Sequence, residues 1–162
     1  LQNSKLFVTC SQDNNLHVRD VVSLCWFMRH NGFSCHVDAS KKGSFLKSYS
    51  QRIAEADFIL VCISNKYLED ISPDCPSNLR DNQLHTREIY ELLKSKHLSS
   101  DDHGNTSDTA RTPQIIPLLF DKMTENHIPE WMKGRQTYKW PEEYMDLIKL
   151  LENQKRREQK DV

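Results

Sequence analysis

Glu88 and His85 are the residues whose types and spacing most invite chemistry. They lie three apart in QLHTREIYELL, residues 83–93. On a helix that spacing puts both side chains on neighbouring turns of one face. No nucleophile is obviously paired with either of them. There is no G-x-S-x-G elbow, and Cys62 sits inside the apolar run FILVCI, where thiolate formation is disfavoured. His97, Asp101, Asp102 and His103 cluster at the edge of a polar stretch. Zinc needs ligands on a rigid frame with defined spacing, so the expectation there is a solvated loop and no metal. Cys35 and His36 alternate along one strand, one inward and one outward, which favours packing over ligation.

Phosphate chemistry is disfavoured as well. The first turn, CSQDNNL, has no Gly, and neither a P-loop nor a dinucleotide fingerprint is present. Ile63-Ser64-Asn65 follows the most apolar run, and Asp13 is the only acid near the first strand. A phosphoacceptor Asp is therefore missing from the place where a receiver domain would hold one. No cofactor is expected.

The elements that must position these residues follow from composition and period. The chain has 162 residues, 22 Lys+Arg against 23 Asp+Glu, and a net charge of −1. That suggests one globular domain with no bulk field for nucleic acid or anionic membrane. Lys155, Arg156, Arg157 and Lys160 form only a short basic tail, interrupted by Glu158, so nucleic-acid binding is not expected. No run approaches the ~20 apolar residues of a membrane span. The chain opens at Leu1, which predicts a piece of a longer protein. Five cysteines, an odd number with no C-x-x-C pair, suit a reduced cytoplasmic setting.

KLFVTC predicts a buried strand over 5–10. Val18, Val21, Val22, Cys25 and Met28 recur at helical spacing and predict a helix over 16–30, closed by Asn31-Gly32 and with Trp26 at least partly covered. FSCHV predicts a second strand, and Ser44 a cap for a helix reaching Ala56. FILVCI predicts a central strand covered on both faces. SNKYLED predicts a short helical turn, and residues 83–97 a longer helix. Residues 99–112 predict a mobile polar loop. QIIPLLF predicts a strand, with Pro117 arguing for an edge or a bulge. QTYKW predicts a short last strand. Pro141 opens a final helix with Tyr144, Leu147, Ile148 and Leu151 as its buried face. Trp131 and Trp140 sit beside prolines in turns, and packing back onto the sheet is expected of both. The alternation predicts an α/β, flavodoxin-like three-layer fold with a five-stranded parallel sheet in order 2-1-3-4-5. One domain over 1–153 and a charged, frayed tail over 154–162 are expected.

The ordered set LFVTCSQDN, ILVCISNKYLED, LHTREI and IIPLLF…HIPEW…YKWP resembles the SEFIR domain, a relative of the Toll/interleukin-1 receptor (TIR) domain. The resemblance runs from about Lys5 to Leu151. Its LHT segment and its IPLLF…IPEW…YKWP tail look closer to the CIKS-type adaptor of interleukin-17 signalling than to the receptor tails. The resemblance implies a TIR-like fold and a signalling role in innate immunity. The domain would dock homotypically onto the SEFIR domain of an interleukin-17 receptor-like protein, with SEFIR self-association as a further expectation. Output to NF-κB and MAP kinases would belong to a ubiquitin-ligase region elsewhere. It also implies two contact regions, the helix after the third strand and the loop after the second. On this chain they map to Arg80, Asp81, His85, Arg87, Glu88, Glu91 and Lys94, and to Lys41 and Lys42. Leu84, Ile89, Leu92 and Leu93 are expected on the inner face of that helix. Some TIR domains cleave NAD with a glutamate on the same helix, which makes Glu88 the catalytic candidate of the alternative reading, a TIR-like NAD hydrolase.

Overall fold

The computed structural model describes residues 4–38, 48–76, 84–101 and 112–160, the side chains at 100, 101 and 155–160 apart. Five parallel strands form one sheet in order β2-β1-β3-β4-β5, as the β/α alternation predicts. They are β1 (Lys5–Thr9), β2 (Ser34–Val37), β3 (Phe58–Ile63), β4 (Gln114–Leu119) and β5 (Tyr138–Lys139). The helices are α1 (Asn15–His30), α2 (Tyr49–Glu55), α3 (Asn65–Ile71), α4 (Thr86–Asp101) and α5 (Tyr144–Lys160).

Side-chain alternation divides the core in two. In β3, Phe58, Leu60 and Cys62 face the cluster that holds Val21, Leu24 and Met28 of α1 and Leu147 and Leu151 of α5. Ile59, Val61 and Ile63 face the cluster built on Ile53 of α2, Tyr67 of α3, and Ile89 and Leu93 of α4. The chain steps one way from β1 to β2 and the other way from β2 onward. Right-handed crossovers must then put α1 on one face and α2 to α4 on the other. The two clusters show that division.

Local chemistry sets the ends of the helices. Asn14 caps α1, its side chain accepting from His17 N. Gly32, at φ +88, takes the left-handed turn after it. Ser48 caps α2 in a reciprocal box with Gln51. Ser44, the expected cap, lies outside the described residues, as do 102–111 of the expected polar loop. The α5 backbone stays helical through Lys160, beyond the boundary expected at residue 153.

Three expectations need correction. The buried stripe of α1 is His17, Val21, Leu24, Cys25 and Met28, whereas Val18, Val22 and Trp26 stand in solvent. Periodicity gave a stripe, but its phase is set by what the sheet covers. Tyr144 is also exposed, and it meets Phe27 edge-on with ring centroids 5.2 Å apart. Pro117 lies in neither an edge strand nor a bulge: β4 runs between β3 and β5, with Pro117 opposite Val61 in unbroken register. Gln114 and Phe120 donate their N–H groups toward β3. Alternation therefore turns position 117 toward β5, and β5 pairs only with Leu118 and Leu119. The missing donor falls where the sheet has no partner to receive it.

Candidate docking site

The first turn of α4 is anchored residue by residue. Leu84 is buried in the core on the α1 side of the sheet. His85 gives its backbone N–H to Asp38 Oδ2 at 2.6 Å, and its Nδ1 lies 2.9 Å from Asp38 Oδ1. The Asp38 side chain is only 2% exposed and the imidazole 47%, so the pair joins the end of β2 to a ring at the surface. Tyr49 of α2 packs on that ring, centroids 4.8 Å apart. Thr86, also buried, donates its hydroxyl to the Cys10 carbonyl at 2.7 Å. Arg87 reaches back to α3 and donates to the carbonyls of Ser72 at 2.6 Å and Asp70 at 3.4 Å. The α3 C-terminus leaves carbonyls without helical partners, and a guanidinium satisfies two of them.

Two acids, the buried Asp70 and the partly buried Asp13, anchor the neighbouring α3. Asp70 accepts from Ser11 Oγ at 2.7 Å and from the Lys66 ammonium at 3.0 Å. That hydrogen bond holds the Lys66 pKa above its ordinary value. Asp13 accepts from Ser64 Oγ at 2.8 Å and Lys66 N at 3.0 Å, fixing the start of α3. Strand-end acids thus hold the helices that begin beside them.

What remains outward on α4 is a narrow strip. Glu88 and Glu91 are exposed, followed by Ser95 and by Leu98, which is 55% exposed. Arg87 was expected to face outward, but its side chain is only 19% exposed and its Nε lies 3.2 Å from Glu91 Oε1. Lys94 is half-buried. Among the described residues, the strip is therefore acidic rather than mixed in charge. Ile89 and Leu93 fill the inner face and Leu92 is partly covered, joined by a buried Tyr90 that the sequence pattern had not singled out. Tyr90 takes the Trp131 indole N–H at 3.1 Å, and Trp140 is buried, so both tryptophans pack back as expected. Arg80, Asp81, Lys41 and Lys42 lie outside the described residues.

The surroundings of Glu88 follow from its place on the outer side of α4. The Nδ1 of His85 is committed to Asp38. Glu88 lines neither the cleft of about 400 Å³ beside α1 nor the cleft of about 330 Å³ above the ends of β1 and β3. It makes no hydrogen bond or ion pair with another described residue. No group of three or more His, Cys, Asp or Glu side chains that could hold a metal is found among the described residues. Burial pushes the Cys62 thiol well above its ordinary pKa, and none of the five cysteines is in a disulfide. No described helix is long and apolar enough to cross a membrane.

A doubly wound five-stranded parallel sheet in order 2-1-3-4-5 is a TIR-like, flavodoxin-like α/β fold. The SEFIR domain family model matches residues 4–151, a stretch that includes all five strands, and the chain belongs to the SEFIR family. SEFIR domains are signalling modules that dock onto other SEFIR domains.

Proposed function

We propose that this domain is the docking module of a CIKS-type adaptor in interleukin-17 receptor signalling. It works in the cytoplasm and seats the α4 strip against the SEFIR domain of a receptor tail. One observation carries the reading. Leu84, His85, Thr86 and Arg87 are all fastened inward, while Glu88 and Glu91 on the same turns stay in solvent. A helix held this way is pre-organised, so little ordering cost falls on binding. Exposed carboxylates then steer and select a partner more than they add raw affinity.

The adaptor assignment rests on the LHT segment and the IPLLF…IPEW…YKWP pattern. Coupling to NF-κB and MAP kinases through ubiquitin-ligase activity belongs to a region outside this domain. Glu88 acts here as a docking charge rather than as the catalytic group of an NAD hydrolase. The test is a pull-down of an interleukin-17 receptor SEFIR domain by this chain. Wild type captures it and Glu88→Lys/Glu91→Lys does not; capture undiminished in the double variant would refute the assignment of α4.

A further inference from the structure

Cys10, Cys25, Cys35 and Cys62 lie in one core cluster. Cys25 of α1 and Cys35 of β2 touch within it: the Cys35 S–H donates a hydrogen bond to the Cys25 sulfur. Both residues are buried, at 4% and 2% exposure, but they differ in access. Cys25 lines the cleft of about 400 Å³ beside α1, among walls that include Val21, Val22, Trp26 and Val37, whereas Cys35 is not one of the described residues lining it. The cleft therefore brings small solutes to one thiol of the pair and leaves the other behind it.

Arg29 adds charge at the same place. It stands one turn after Cys25 on α1, and its Nε and Nη2 hold the Cys35 carbonyl at 2.9 and 2.7 Å. The Cys35 hydrogen bond, and after it the guanidinium, favour the Cys25 thiolate and lower its pKa against the opposing effect of burial. The same bond keeps Cys35 protonated. A donor on the sulfur and a cation beside it are the surroundings of a reactive cysteine rather than an inert one. Cys62 offers the contrast, sealed in β3 with its pKa raised by burial.

We propose that Cys25 is a peroxide-reactive site and that Cys35 resolves it, so that the pair closes to a disulfide. Hydrogen peroxide is small and uncharged, which suits a cleft with apolar walls. The Cys25 sulfur attacks one peroxide oxygen. An S–O bond forms, the O–O bond breaks, and the departing hydroxide takes the Cys25 proton and leaves as water. Cys25 is oxidised to the sulfenic acid and the peroxide is reduced. The Cys35 sulfur then attacks the Cys25 sulfur. The S–S bond forms, the S–O bond breaks, and the hydroxyl leaves as a second water with the Cys35 proton. Disulfides in reducing compartments are usually transient and redox-sensing. This one ties α1 to β2 just before Asp38, which lines the same cleft.

The test uses the full chain carrying Cys75→Ser, which removes the cysteine outside the core cluster. It is treated with hydrogen peroxide, quenched in acid, and read by intact mass and peptide mapping, with circular dichroism before and after. The folded chain should lose the mass of two hydrogens, regain it with dithiothreitol, and map to a Cys25–Cys35 bridge. With Cys35→Ser added, no bridge should form and dimedone should label Cys25. Unchanged mass at a peroxide dose that oxidises a free thiol standard would overturn the proposal. So would a bridge to Cys10 or Cys62, a dimedone label on another cysteine, or loss of the folded signal before the bridge appears. The mapping of the intact pair needs no core substitution, so it stands even where Cys35→Ser fails to fold.

Discussion

Thr86 Oγ1 donates to the backbone carbonyl of Cys10 across 2.7 Å, joining residues 76 apart in sequence. The bond ties the first turn of α4 to the end of β1 inside the protein, where neither group can turn to water. It fixes where the helix starts and therefore which way Glu88 and Glu91 point.

Thr86→Val keeps the shape and removes the donor. The Cys10 carbonyl is then left buried without that partner, which should cost about 1–3 kcal/mol. Urea unfolding monitored by circular dichroism measures it. An unchanged midpoint would mean that α4 is positioned by packing alone.

Arg87 and Glu88 should separate stability from docking. Arg87→Ala takes a charged donor from the Asp70 and Ser72 carbonyls at the end of α3 and should lower stability by about 1 kcal/mol, less than is usual for a charged donor because the side chain is partly solvated and Cys75 N–H still reaches Ser72 O. Glu88→Lys lies on the open face and should change stability by no more than about 0.5 kcal/mol. Paired urea melts decide this, and equal losses would place Glu88 among the structural residues.

The contrast shows what a sequence can and cannot reveal. FILVCI, six apolar residues with three β-branched among them, predicted a strand covered on both sides, and strand–helix alternation with right-handed crossovers led to the sheet order. The α1 stripe was misphased because helical period alone cannot say that His17 faces inward and Val18 outward. LHTREI was visible as a motif, yet the reason for its residues was not. The partners Asp38, Cys10 and the end of α3 lie 47, 76 and 15 residues away from the side chains they meet. A cue existed in the acids directly after strand runs, VD at residues 37–38 and SQD at 11–13. Long-range pairing also explains why Arg87 was read as an outward charge.

Alkaline pH should weaken the fold. Burial raises the pKa of Cys62 and Tyr67 well above ordinary values, and the thiol–thiol hydrogen bond with Cys25 raises that of Cys35. The same bond lowers Cys25, which offsets part of the effect. The unfolded chain releases these protons from about pH 8.5 upward while the folded chain holds the raised ones. Stability is thus fully present below that range and falls above it. Urea midpoints between about pH 7.5 and about pH 10 should decline, with a shallower slope in Cys62→Ala. A flat profile would contradict the buried neutral thiol.

The purified chain should release no nicotinamide from NAD above buffer, even at high protein concentration or under crowding, and Glu88→Gln should be indistinguishable from wild type. Chromatographic detection of nicotinamide checks this. Turnover lost in Glu88→Gln would return the residue to catalysis.

The most direct test of the docking account is calorimetric titration of this chain against an interleukin-17 receptor SEFIR domain. Wild type and Thr86→Ser, which keeps the anchoring hydroxyl, should bind alike. Glu88→Lys/Glu91→Lys should bind at least about tenfold more weakly, a difference of about 1.4 kcal/mol, with its melting temperature unchanged. Wild-type affinity in that folded double variant would contradict the claim that α4 is the docking face.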